Sequence, residues 1–216
     1  MKNLLLSIAL VMSAQSCVAQ QAGCEPRKVL LIGQSNAVNM RQYVDLESTF
    51  GDFECPAKIY QSIAGGKKAD VFLPNWSNMS LYGQTTRKLD ADQAKVDAIV
   101  FWQGEADTQK QEDATTWARK TTETLKAYVD DYGSNKSIPI VIFQINSMRL
   151  RIKSDDKYWK TIRIAQQSMA VPGRITVIDT SQYRFNPDFV HMPPASYPAA
   201  AQDAANVING GGLWAK

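Results

Sequence analysis

Lys28-Val29-Leu30-Leu31-Ile32-Gly33-Gln34-Ser35-Asn36 is the stretch on which the fold turns. Consecutive large apolar residues, running straight into a glycine, read as a short strand buried on both faces. Past the glycine the chain is polar and equipped for chemistry. Four further runs of this kind lie downstream: Ala57-Lys58-Ile59-Tyr60, Ala98-Ile99-Val100-Phe101-Trp102, Ile140-Val141-Ile142-Phe143 and Ile175-Thr176-Val177-Ile178. Helical patterns separate them, near 79–95, 112–132 and 156–171, with a last one near 195–209 and a shorter one after Ser35. Short buried strands alternating with helices predict an α/β fold, a three-layer α/β/α sandwich around a central five-stranded parallel sheet.

Ligands of such sheets bind outside the carboxyl ends of the strands. That edge is where this chain places its unusual polar groups. The first strand runs into Gly33-Gln34-Ser35-Asn36, the second into Ala64-Gly65-Gly66, and the third into Gln103-Gly104-Glu105-Ala106-Asp107. The fourth ends at Gln144-Ile145-Asn146, and Asp188-Phe189-Val190-His191 follows the fifth. The predicted topology therefore brings all of them to one rim.

The chain has 216 residues, a net charge of +3 and one histidine, His191. Residues 1–19 read as a secretory signal, with Lys2 at the start, an apolar core from Leu4 to Met12, and a small-x-small site at Cys17-Val18-Ala19. Ser16 before Cys17 leaves a lipid anchor on that cysteine as a minor alternative. The core is too short to span a bilayer, and no later stretch approaches the ~20 apolar residues of a transmembrane helix. Residues 20–216 fit one domain, exported to the periplasm or beyond. Without Lys2 the charge falls to +2, too weak a bias for nucleic acid. Arg149, Arg151 and Lys153 read as a solvated loop or helix entry, and Gly210-Gly211-Gly212 as a helix end and tail.

Signal removal leaves two cysteines, Cys24 and Cys55, each just before a predicted strand and so at the same edge of a parallel sheet. In an exported protein this pattern predicts a Cys24–Cys55 disulfide, with two separate buried thiols as the alternative. Such a loop closure contributes about 3 kcal/mol. One histidine and two oxidised cysteines make no ordinary zinc site, and no cofactor is expected.

A serine hydroxyl attacks an ester only when a base takes its proton, and the base needs a group that fixes its tautomer. Ser35, His191 and Asp188 fit those roles. Histidine is the side chain whose charge changes closest to working pH, and here it has no competitor. The oxyanion that develops on the attacked carbonyl requires aimed donors. Candidates are the Ser35 N–H, a glycine N–H of Gly65-Gly66, and the Gln103 amide.

Gly33-Gln34-Ser35-Asn36, Gly65-Gly66, Trp102-Gln103-Gly104-Glu105-Ala106-Asp107 and Asp188-x-x-His191, in this order, resemble the SGNH/GDSL hydrolase superfamily. The closer likeness is to its sialate O-acetylesterase and acetylxylan esterase branch, carbohydrate esterase family six. Trp159-Lys160-Thr161-Ile162-Arg163-Ile164-Ala165-Gln166 also resembles a segment of that branch. The resemblance implies a flavodoxin-like sandwich and a serine esterase that removes acetyl groups from a carbohydrate. It implies Ser35 as nucleophile, His191 as base, Asp188 as orienting acid, and Gly65 or Gly66 as oxyanion glycine. Gln103 stands where the wider superfamily has asparagine. Gln34, Asn36, Gly104, Glu105 and Arg163 are expected to support the site, with Glu105 and Asp107 bracing the third loop. Three features depart from the branch: Met192 in place of proline, a short interval from Ser35 to Gly65, and Lys67-Lys68 after the glycine pair.

Other readings exist for single groups. Ser35 suits a helix N-cap, Gly65-Gly66 an ordinary turn, and Gln103 a buried amide. Trp76, Tyr82 and Trp159 suit either a sugar platform or the core. An α/β-hydrolase elbow is disfavoured, since Ser35 follows the first strand and Asp188 adjoins His191. A phosphate loop fails because Gln61 and Lys68 replace its required glycine and hydroxyl residue. Two rivals keep the fold and differ in function. One is a carbohydrate O-acetyltransferase, the other a non-catalytic carbohydrate-binding or surface module.

Overall fold

The five apolar runs pair into one fully parallel sheet. β1 (Lys28–Gly33), β2 (Lys58–Ile63), β3 (Ala98–Trp102), β4 (Ile140–Gln144) and β5 (Ile175–Asp179) take the order β2-β1-β3-β4-β5. The computed structural model describes residues 24–51, 55–75, 77, 79–147 and 157–210. The expected signal segment with Cys17, Trp76, the Arg149/Arg151/Lys153 cluster and Gly211-Gly212 lie outside the described residues.

Strand periodicity divides the core. Val29 and Leu31 point to one face, where Ala37, Met40, Leu46, Phe50, Tyr197 and Ala201 cover them. These come from α1 (Ser35–Tyr43), α2 (Leu46–Phe50) and the C-terminal helix α6 (Tyr197–Gly210). Leu30 and Ile32 point to the other face, under Tyr82, Trp117, Leu125, Trp159 and Ile162. Those belong to α3 (Leu81–Ala91), α4 (Gln111–Tyr132) and α5 (Lys157–Ser168). Both faces of β3 and β4 are buried throughout, which is why their sequences show no alternation. Tyr82 and Trp159 are core residues at 0% and 1% exposure, so neither is a sugar platform.

Strand order reverses between β2 and β3 around β1, and a parallel sheet opens its ligand crevice at such a point. The register sets Gly33 between Ile63 and Trp102. Only glycine fits there, because a Cβ would lie 2.1 Å from the Trp102 carbonyl oxygen. The Gln34 N–H then donates to that carbonyl at 3.0 Å, and the chain turns at once into α1. At the opposite edge the Cys24–Cys55 disulfide is formed, with Cα atoms 5.9 Å apart. Among the described residues no helix is long and apolar enough to cross a membrane.

Candidate active site

Ser35 is the first residue of α1, and Gln34 at the N-cap provides no side-chain cap. The first N–H groups of a helix have no partner within it, and the Ser35 N–H is one of these. Its hydroxyl stands 2.9 Å from His191 Nε2. The other ring nitrogen, Nδ1, stands 2.7 Å from Asp188 Oδ2. Asp188 also shapes the loop that carries the ring, accepting from the backbone N–H groups of Val190 at 2.9 Å and His191 at 3.0 Å. Burial pushes the Asp188 carboxyl up, but the backbone and ring of His191 and the Val190 N–H outweigh it. The net effect holds that carboxyl below the usual carboxylate range. Phe189 takes a positive φ of 54° between the two residues, a conformation that non-glycine residues adopt at a cost. The side chains of His191 and Asp188 remain 37% and 48% exposed. Ser35, His191 and Asp188, expected from the sequence to act as one set, therefore form a continuous hydrogen-bonded line.

Beneath this open line lies a buried polar layer. Glu105, in the 3-10 turn Glu105–Gln109 after β3, accepts from Gln34 Nε2 and, at 2.8 Å, from Asn36 Nδ2. It thus grips the residues on either side of Ser35. Burial pushes its carboxyl above the ordinary range, against the pull of hydrogen bonds from its own backbone N–H and from Asn36. Asn36 is fully buried; its amide also donates to the Val190 carbonyl at 2.8 Å, and its Oδ1 accepts from the Tyr197 hydroxyl at 2.8 Å. Gly104 lets the chain leave β3 beside α5, where a Cβ would lie 2.9 Å from Ile162. Gln34, Asn36 and Glu105 thus meet in this layer, and Gly104 opens the loop that carries Glu105.

Gln103, for which the sequence allowed either an oxyanion donor or a buried amide, is a buried amide here. Its residue exposure is 0%. Its amide N–H groups donate to Asp107 and, at 3.3 Å, to the Lys67 carbonyl, while its Oε1 accepts from the Trp117 indole. A side chain with every group engaged and no accessible surface cannot meet a substrate oxyanion without breaking these bonds. Gln103 acts here as a clasp between the β2 loop, Asp107 and Trp117. The clasp extends through Asp107, whose carboxylate accepts the Ala69 N–H at 3.1 Å. Burial pushes Asp107 up to about 6, against hydrogen bonds from Ala69 and Gln103.

The clasp holds the loop that carries Gly65 and Gly66. That loop departs from β2 beside Ser35, with the Ala64 N–H donating to the Gly33 carbonyl at 3.0 Å. Gly65 and Gly66 are exposed in a turn, with φ at +67° for Gly66. Of the two lysines that follow, Lys68 pairs with Asp113 at 2.7 Å. Arg163 braces the far side of the rim, donating to the Ile145 carbonyl, to Gln144 Oε1 at 2.9 Å and to Asp179 at 3.4 Å. Met192, in place of the branch's proline, is buried at 2% exposure among α1 and α6 residues and so anchors the histidine loop.

Three contributors escaped the sequence reading. Tyr197 reaches Asn36 from α6, Trp117 holds Gln103 from α4, and Gln166 ties the Gln103 carbonyl to the Ile145 N–H. Gln166 ends the Trp159–Gln166 segment that carries part of the family likeness, whereas Tyr197 and Trp117 had no local signal. Among the described residues no cluster of metal-ligating side chains occurs.

Similar folds occur in solved structures. A protein of Arabidopsis thaliana superimposes with a TM-score of 0.66 at 13% identity, covering 86% of this chain and 99% of that one. A carbohydrate acetylesterase from Xanthomonas citri gives 0.63 at 14% identity, covering 86% of this chain and 57% of that longer one. A protein from Slackia heliotrinireducens, classed with the SGNH hydrolases, gives 0.58 at 17% identity, covering 84% and 98%. No curated protein matches the chain in sequence. The family described as carbohydrate esterase, sialic acid-specific acetylesterase, matches residues 59–209. With that match over most of its length, on an SGNH-hydrolase-like sandwich, the chain belongs to this carbohydrate esterase family and is a carboxylic ester hydrolase.

Proposed function

We propose that this protein removes O-acetyl groups from a carbohydrate through an acyl-serine intermediate. The observation that carries the reading is the unbroken line Ser35 Oγ, His191, Asp188, at 2.9 and 2.7 Å on the sheet's carboxyl edge. Ser35 Oγ attacks the acetyl carbonyl while its proton passes to His191 Nε2. Asp188 accepts the Nδ1–H and stabilises the imidazolium. The tetrahedral oxyanion is held by the Ser35 N–H and an N–H of the Gly65-Gly66 turn. As the C–O bond to the sugar breaks, His191 returns the proton to the departing hydroxyl. Water, deprotonated by His191, then attacks the acyl-serine; acetate leaves and Ser35 regains its proton.

The partly exposed setting of His191 and Asp188 supports water, rather than a second sugar, as the acyl acceptor. The disulfide supports an exported protein, acting as residues 20–216 after loss of the signal segment 1–19. The test is acetate release from a panel of acetylated glycans, an O-acetylated sialoside and acetylated xylan among them, by the protein and its Ser35→Ala variant. Release that depends on Ser35 and needs no added sugar supports the proposal. Transfer seen only when a sugar acceptor is added would make it a transferase. Glycan binding without any acetate release would make it a binding module.

A further inference from the structure

The catalytic line joins two parts of the chain that are far apart in sequence and differently supported. Ser35 is seated by the sheet, through Gly33 and the Trp102 carbonyl. His191 rides on a loop whose polar bonds are largely its own: Asp188 to the Val190 and His191 N–H groups, and the Asn186 N–H to the His191 carbonyl at 2.8 Å. Met192 anchors that loop by packing, which is non-directional. Side-chain hydrogen bonds reach it from elsewhere: Asn146 to the Phe189 carbonyl, long at 3.4 Å, and Asn36 to the Val190 carbonyl at 2.8 Å.

Asn36 occupies a singular place. It follows the nucleophile, and the carbonyl it binds precedes the base. One N–H of its amide goes to Glu105 and the other to Val190, while its oxygen accepts from Tyr197, which in turn accepts from Asn39 at 2.9 Å. Burial pushes the Tyr197 hydroxyl up to about 12, so it stays a donor. With both N–H groups engaged and its oxygen bonded, the amide has one orientation, and that orientation links the two sides of the Ser35–His191 gap.

We propose that Asn36 is a positioning residue of the reaction. Held by Glu105 and Tyr197, it fixes the His191 loop against the nucleophile turn and sets the Ser35–His191 separation. The proposal rests on the serine-esterase reading above. Displacements of about 1 Å cost on the order of 100-fold in such sites. Asn36→Ala should therefore lower kcat about 100-fold on an activated acetyl ester, with KM within about threefold, because the residue is buried and touches no substrate. Tyr197→Phe, which keeps the ring and removes the hydroxyl shared by Asn36 and Asn39, should lower kcat by a smaller factor, on the order of threefold to tenfold. In a Ser35→Ala background, Asn36→Ala should change the residual rate by less than about twofold, since residues acting through one step are not additive.

The controls separate the two readings. If Ser35→Ala keeps full activity, the serine-esterase reading fails and this one with it. If Ser35→Ala is inactive while folded Asn36→Ala turns over at the wild-type rate, this proposal alone is overturned. A change confined to KM, or a loss equally large in the Ser35→Ala background, overturns it too. Should Asn36→Ala not fold, Tyr197→Phe decides. A wild-type kcat in that folded variant, or failure of both to fold, would make the Asn36 network a folding element and end the proposal.

Discussion

Asp188 and Asp107 lie on two loops of one rim, and their surroundings are opposite. Asp188 is 48% exposed, and its hydrogen bonds hold its carboxyl below the usual range. Asp107 is fully buried, and burial pushes its carboxyl up to about 6. The exposed acid faces the one imidazole. The buried acid faces a backbone N–H and an amide, and ties the Gly65-Gly66 loop to the end of β3. The contrast separates two uses of a carboxylate. One keeps its charge where the proposed reaction would develop an imidazolium. The other serves as an acceptor that holds loops in place, at a cost in desolvation. The same division runs through the site: an open line, proposed to carry the reaction, lies on a closed polar layer.

The largest effects belong to the open line. Ser35→Ala and His191→Ala should each reduce acetyl ester hydrolysis at least about 1000-fold with the fold retained. The second variant leaves no other histidine in the chain. Thermal melting beside the assay separates lost chemistry from lost structure, and a wild-type rate in either would break the comparison at its root. Asp188→Asn comes next, with a loss on the order of 100- to 10000-fold, since an amide supports the wrong tautomer and no longer balances the imidazolium. A loss under about tenfold would make Asp188 a loop brace.

Gln103→Ala sharpens the boundary between the layers. A direct oxyanion donor would cost on the order of 100- to 1000-fold in kcat. The clasp assignment instead expects a drop in stability of about 2–4 kcal/mol from several buried bonds lost together. Turnover at a temperature where the variant is folded should fall by less than about tenfold. Denaturant melts and kcat measured together decide. Full stability with a 100-fold slower kcat would return Gln103 to the oxyanion hole.

How far the sequence disclosed this molecule follows from the range of the interactions involved. The strands were legible because burial on both faces leaves continuous apolar runs. β2 extends past the apolar run that ends at Tyr60 to reach Ile63, because Ser62 and Ile63 find partners in Ile32 and Gly33 across the sheet. The helix expected near 79–95 spans Leu81–Ala91, capped by Ser80 and ended before the left-handed Gln93. That Ser35, Asp188 and His191 would meet was legible because each follows a strand end on one edge of the sheet. The choice between the two readings of Gln103 was not, since the contacts of an amide depend on its neighbours. Here those are Trp117 on α4 and the Lys67 carbonyl. Tyr197 was invisible for a similar reason: its partner Asn36 lies 161 residues away.

The smallest expected effect on turnover, and the most direct test of the buried acid, is Asp107→Asn. An acid whose folded pKa is raised binds more protons folded than unfolded between its two pKa values. Folding stability through this group therefore falls as pH rises from about 4 to about 6, and levels off above. A rise from 3.8 to about 6 corresponds to roughly 3 kcal/mol lost between the acidic and neutral ends of that window. The amide keeps an acceptor for the Ala69 N–H but has no proton to release, so the variant should lack this slope. Urea midpoints of both proteins, converted to free energies from about pH 4 to about pH 7, should converge or cross as pH rises. The pH trend of Glu105, also raised by burial, is common to both and cancels to first order in the difference. Parallel curves would mean that Asp107 ionises in the folded protein as it does in the unfolded chain. The contrast with Asp188 would then be one of position only, with no difference in charge state behind it.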